Sequence, residues 1–356
     1  GHSDSIDIAA PDAPHGFTLQ LREAVTRFML RHLAGKVVEV REIAALPDSF
    51  DDTELRAFAE PDWTEPELRC TPRGQVLLMP GERSAFAINA ETAARLRQER
   101  SAAWSSLDEA GKRDLVRTTI GDERAPDKSA LKTVGELKRA GAVVRKLVLE
   151  TAPGLPLPAL AFVPDKPNGR AVLQFHGEGM KAGAEPGGPL ESLAKEGCLV
   201  LSAELRGLGE TKTGSRRRAF GAGRFGNDNL EILTAYLLGK SYIGMRAADA
   251  EAWLEVLRSG ALGSEPQRIE LVATDQAAVP ALHAAALQPG AFSTLTLRRM
   301  IPSWESLVGA PETLEQTANM VHGVLRHYDL PDLVALVGAE RVAIEESVDG
   351  MGKAVR

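Results

Sequence analysis

The sequence predicts an α/β protein, a doubly wound and mostly parallel sheet with an N-terminal, partly helical extension. Three observations carry that prediction. Residues 171–175, 198–201, 269–273 and 342–344 are short, largely apolar runs, the pattern of strands buried on both faces. Between them lie helical stretches at 189–196, 230–238, 246–257 and 277–287. An antiparallel hairpin, 143–150 and 158–163 about the turn Pro153-Gly154, precedes the alternation.

The N-terminal elements read as follows. Residues 5–9 alternate polar and apolar side chains and predict a short strand, ended by Pro11 and Pro14. Leu21, Val25, Phe28, Met29 and Leu33 recur at helical spacing, with Thr18 as N-cap, His32 in the last turn and Gly35 as the stop. Prolines interrupt residues 47–81, an acidic stretch, and 67–79 predicts a hairpin turning at Pro72-Arg73-Gly74. Helix formers dominate 89–121, and 133–140 predicts one more short helix. The organisation expected is a strand–histidine–helix segment at 1–35, a linker region at 36–142 and the α/β domain at 143–356.

Composition narrows the function. Hydrophobic residues make up 44% of the 356 residues and charged residues 26%, enough to bury a sizeable core. A net charge of −7 argues against nucleic acid and against an anionic membrane, which both call for a concentrated positive field. No apolar run approaches the ~20 residues of a membrane span. Two cysteines exclude a disulfide framework and a cysteine-rich zinc site. The start of the chain shows no cleavable signal, and Gly1-His2-Ser3 reads as a cloning remnant, so the compartment stays open.

Chemistry is expected at the carboxyl ends of the strands. After 171–175 comes His176-Gly177-Glu178-Gly179, either an ordinary glycine turn or the backbone donor of an oxyanion hole. After 198–201 comes Glu204-Leu205-Arg206-Gly207-Leu208-Gly209, where Arg206 is expected to tie neighbouring loops together. The strand 269–273 enters its helix through Ala273-Thr274-Asp275-Gln276-Ala277. That is the frame of a nucleophile elbow, with alanine at both small positions and Asp275 where a serine is usual.

On these motifs, residues 143–356 resemble an α/β-hydrolase, and more narrowly the acetylxylan-esterase-like carbohydrate esterases, relatives of the dienelactone hydrolase and prolyl oligopeptidase type. The segment Asp329-Leu-Pro-Asp-Leu333 and the strand reaching Val348-Asp349-Gly350 add to the likeness. The resemblance implies that Asp349 is the acid of a triad, that the Gln276 amide joins His176-Gly177 in the oxyanion hole, and that the protein is secreted or periplasmic. It implies no metal and no cofactor. Serine is missing from the elbow, and no histidine follows Asp349. A histidine in the right local setting occurs instead at Asp12-Ala13-Pro14-His15-Gly16-Phe17, which resembles the end of such a hydrolase.

Two arrangements follow. In one, the chain is the downstream part of a tandem protein, His15 served a preceding hydrolase domain, and this lobe is non-catalytic with a structural or glycan-binding role. In the other, the N-terminal segment folds back as in a circular permutation, bringing His15 as base to Asp275 and Asp349 in an active ester hydrolase. Asp275 itself reads two ways, as a carbon-attacking nucleophile or as the cap of the helix that follows it. The remaining motifs carry less. His283 reads as packing or surface, and His322 and His327 are not at the spacing of a helical metal pair. Arg216-Arg217-Arg218 is a loop run, and the G-x-G-x-x-G at 221–226 follows no strand, as a dinucleotide site requires.

Overall fold

The computed structural model describes residues 6–12, 16–41, 70–71, 73–122, 129–152, 154–212, 222–226 and 228–355. Two compact units result, residues 1–82 and 83–356.

In the first unit, α1 (Leu19–Ala34) starts at Thr18, whose hydroxyl accepts the Leu21 N–H, and ends at Gly35 in the left-handed conformation. That matches the expected caps. α1 has no buried residue. The strand expected at 5–9 does not form: Ile6–Ala10 have neither helix nor strand. Nor do the described residues of 67–79 form a hairpin; Val76–Leu78 is a single 3-10 turn. Five residues alternating polar and apolar supply a strand pattern but no partner strand, and pattern without pairing does not hold an extended backbone.

The second unit begins with α2 (Ala85–Ser106) and α3 (Glu109–Ile120), the latter capped by Asp108 and stopped by Gly121. Strands β1 (Ala130–Arg139), β2 (Ala142–Ala152) and β3 (Leu155–Pro164) form an antiparallel meander. Of residues 133–140, expected as helix, 133–139 are therefore strand and Ala140 begins the turn to β2. Their helical signal is only a run of residues neutral between the two states, and pairing with β2 decides it. The unit boundary accordingly lies near residue 83, and α2, α3 and β1 from the region read as a linker belong with the sheet.

Then follow β4 (Arg170–His176), α4 (Pro189–Lys195), β5 (Leu199–Ala203), α5 (Asn229–Leu237), α6 (Tyr242–Arg258), β6 (Arg268–Thr274), α7 (Ala278–Leu287), β7 (Thr294–Arg298), α8 (Trp304–Val308), α9 (Leu330–Val337) and β8 (Val342–Glu345). The sheet order is β1-β2-β3-β5-β4-β6-β7-β8, parallel from β5 onward and antiparallel before it. β7 is the strand the sequence reading passed over.

The apolar runs are apolar because both faces are covered. Val172 and Val200 pack under α4 with Leu190 and Ala194, while Leu173 and Leu201 face the larger core with Trp253 of α6 and Leu282 of α7. Every residue of α7 is buried. A helix apolar all round belongs between a sheet and outer helices, and α7 sits against α6 and α9 there. Asp329 and Asp332 of the segment 329–333 form the capping box that starts α9.

His283 lies inside that core, fully buried, within 6 Å of the rings of Trp304 (5.7 Å) and Tyr328 (5.9 Å). Its Nδ1 donates to the Val279 carbonyl at 2.7 Å, so Nε2 is the bare nitrogen that accepts the Tyr328 hydroxyl at 3.2 Å. Burial pushes the imidazole pKa down to about 4. The unfolded chain takes up this proton below its ordinary 6.5, while the folded chain refuses it until about 4. Stability from this group is therefore intact above pH 6.5 and lost as pH falls toward 4, by about 3 kcal/mol in total. Urea unfolding of wild type and His283→Gln at stepped pH checks this: the wild-type curve falls more steeply by that amount across the window.

Candidate functional site

The elbow is built by the end of β6. The chain must leave the sheet and enter α7 through one 3-10 turn, Asp275–Ala277, and Asp275 takes φ +56° to do so. A non-glycine residue with φ in this range is strained, Asp less than most. Ala273 and Ala277 on either side are fully buried, so larger side chains do not fit. Across the turn stands Gly177, where an added Cβ would lie 3.0 Å from the Asp275 Cβ. The expected elbow geometry is present, with a carboxylate at its apex.

The Asp275 side chain is held by a residue the sequence reading missed. Arg299, the first residue after β7, donates from Nε to Asp275 Oδ1 at 2.8 Å and from Nη2 to the Gly352 carbonyl at 3.2 Å. It too has a left-handed backbone, φ +54°. The available signal was Thr294-Leu295-Thr296-Leu297, whose alternation marks a strand and hence a strand end at Arg299. Both side chains keep over a third of their surface exposed (41% and 36%), so the pair fixes orientation more than it adds stability.

The other expected site residues disperse. The Gly177 N–H donates to the Thr274 carbonyl at 3.1 Å, spending on the sheet the amide assigned to an oxyanion hole. His176 Nδ1 accepts the Glu178 N–H at 3.1 Å, which closes a local turn. Asp349 Oδ1 accepts the N–H groups of Met351 (2.8 Å) and Lys353 (3.0 Å). Its carboxylate is thus engaged in its own turn, while neighbours Val348 and Met351 line the cavity below. Gln276 does face that cavity with Asp275. His15 lies outside the described residues, as do Arg216–Arg218 and Gly221. Among the described residues no His/Cys/Asp/Glu group has metal-binding geometry.

Arg206 grips Asp249 of α6 with Nε and Nη2 at 2.9 and 2.5 Å, and so ties its loop to that helix. Behind it, fully buried Arg246 donates from Nε to the Arg206 carbonyl (2.9 Å) and from Nη2 to Asp228 (3.0 Å), with the Tyr242 ring 4.3 Å from its guanidinium carbon. Burial raises the Asp228 carboxyl above its usual range, and the Arg246 charge opposes that rise. Burial likewise pushes the Tyr242 hydroxyl up to about 12. Glu204, raised by burial, accepts N–H groups of Met180, Glu210 and Thr211.

These loops enclose a cavity of about 410 Å³. Asp275, Gln276 and Arg299 form one end; Lys212, Asp228 and Glu315 bring further charge, and Ile232, Ile301, Leu314 and Met351 supply apolar wall. No histidine lines it among the described residues. Asp275 can accept hydrogen bonds there, and the group bound to it, Arg299, stays protonated and so cannot serve as its base.

No family model and no curated protein matches the chain by sequence. Solved structures do match. A protein of Bacteroides fragilis assigned as an acetyl xylan esterase superposes with TM-score 0.59 at 13% identity, covering 76% of this chain and 77% of that one. Acetyl xylan esterase 1 from a Thermoanaerobacterium species gives 0.39 at 18% identity, covering 53% and 57%. An acetyl xylan esterase from a Paenibacillus species gives 0.35 at 18%, covering 61% and 60%. The chain thus spans less than two thirds of the latter two proteins. The first likeness, with the sheet order above, gives the chain the α/β-hydrolase fold.

Close approach, not charge, is expected to hold the elbow. Gly177→Ala, which drives a methyl against Asp275, should cost about 1–3 kcal/mol. Arg299→Met should cost no more than about 1 kcal/mol, because the pair is half-exposed. Urea denaturation of both variants gives the comparison.

Proposed function

We propose that the 83–356 unit is a hydrolase-fold lobe without hydrolytic activity of its own, and that its elbow cavity binds a glycan. One observation carries the reading: the apex carboxylate is bound to a guanidinium at 2.8 Å, in a cavity that no described histidine lines. A carboxylate nucleophile forms an ester that must then be opened by a base-activated water. Arg299 cannot take that proton, and its charge lowers the carboxylate's tendency to attack. Fold alone decides neither activity nor its absence, so the reading rests on the site.

The glycan reading rests on two supports. The Bacteroides fragilis protein of like fold is described as an acetyl xylan esterase, which acts on an acylated polysaccharide. The cavity also combines hydrogen-bonding side chains of both polarities with an apolar wall, the mixture that sugar rings with hydroxyl edges and C–H faces require. In this reading His15 belongs with an upstream hydrolase domain of the same protein, and residues 1–35 are that domain's tail.

Hydrolysis of aryl acetates by the purified chain tests the silent lobe. The expected result is no turnover above buffer, with Asp275→Asn indistinguishable from wild type. Turnover abolished both by Asp275→Asn and by His15→Ala would instead establish the folded-back arrangement, with Asp275 as nucleophile and His15 as base. Calorimetric titration with xylo-oligosaccharides tests the ligand: binding is expected, and Gln316→Ala, which removes an amide from the cavity wall, should weaken it several-fold.

A further inference from the structure

Helix α5 has two unlike faces. Ile232 and Ala235 point inward and are buried, Ile232 reaching the cavity. Leu230, Leu233 and Leu237 point outward at spacings of three and four, with Tyr236 and Leu238 beside them. Their exposure is 63%, 44%, 82%, 50% and 69%, in the order Leu230, Leu233, Leu237, Tyr236, Leu238. The patch continues onto residues 320–322, since the Tyr236 and His322 rings meet at a tilt with centroids 5.3 Å apart and Met320 is 56% exposed. The outward face carries no charged side chain: Thr234 completes it. Single exposed leucines are ordinary, but a contiguous stripe on one helix marks an interface.

We infer that this face pairs with the same face of a second copy of the chain. The area is right for that occupant. The exposed portions of Leu230, Leu233, Tyr236, Leu237, Leu238 and Met320 amount to roughly 600–700 Å² of apolar surface, so two copies would bury about 1,300 Å², inside the ~1,200–2,000 Å² of stable pairs. The chemistry is right as well. An uncharged leucine stripe is complementary to another such stripe, and a two-fold axis across α5 sets each stripe on the other. Leucines at a spacing of three and four interdigitate as helix pairs do. Pairing would also brace the cavity, because α5 is one of its walls and Asp228 immediately precedes that helix.

Sedimentation velocity of the full chain across the micromolar range tests the pairing. Wild type should pass from monomer to dimer with concentration. Leu237→Glu and Leu230→Glu, both at exposed positions that cost the fold little, should weaken association at least about tenfold. Leu33→Glu, exposed on α1, should leave it unchanged. In a Cys70→Ser background, Thr234→Cys should give a disulfide-linked dimer on mild oxidation. A wild type that stays monomeric, a dimer indifferent to both α5 variants, or one lost in Leu33→Glu overturns the inference.

Discussion

The site depends on one steric constraint: β6 must turn into α7 within three residues while β4 ends alongside it. Parallel pairing sets His176 beside Thr274, so the turns that follow both strands compete for the same space. The competition is resolved by leaving a side chain off Gly177 and by forcing Asp275 into the left-handed region. That backbone lifts the Asp275 side chain off the sheet and into the cavity, whichever side chain it is. The elbow is therefore a property of the backbone, created by Ala273, Ala277 and Gly177 whatever side chain stands at its apex.

The cavity walls have a separate origin. They are loops after β5 and around α5, and their hold on the core is ionic. Glu204 gathers three amides of its neighbouring loops, Arg206 clamps Asp249, and Arg246 joins Asp228 to the Arg206 carbonyl. Buried ions of this kind return little net stability, yet removing one partner strands the other and is costly. Such a network keeps a cavity's shape without reference to what happens at the elbow. None of these contacts involves the elbow, so the chamber of about 410 Å³ keeps its walls whichever side chain stands at the apex.

The parts of the fold legible in the sequence were those where local pattern and tertiary role agree. Strands β4 and β6 are apolar because both faces are buried, and α1 announces both ends through Thr18 and Gly35. The elbow was legible for the same reason, since small residues around a turn are a local demand. Strand β1 was not, because Ala130–Arg139 is an edge strand with charged, exposed positions whose conformation is decided by β2 alone. The 5–9 alternation misled in the opposite sense, a pattern with no partner. Arg299 was invisible for a longer-range reason: its role comes from a strand end that lies beside β6 only once the sheet is assembled. Asp349, placed by position as a triad acid, has Oδ1 bonded to two amides of its own turn.

An aspartate paired with an arginine at the apex offers a different kind of chemistry from a serine paired with a histidine. A serine with a histidine is a device for moving a proton: the pair is neutral at rest, and charge appears only as the transition state forms. An aspartate with an arginine is charged at rest, and the arginine cannot take a proton. Its field is fixed, and a ligand meets it before any bond changes. A fixed ion pair at the end of a half-apolar chamber rewards ligands that offer hydroxyl donors to the carboxylate and acceptors to the guanidinium, and it gives no extra stabilisation to a tetrahedral carbon. Selection between transition state and ground state is what separates a catalyst from a receptor. On the proposed reading, the groups assembled at Asp275 and Arg299 favour the bound ground state, and the turn presents a recognition group.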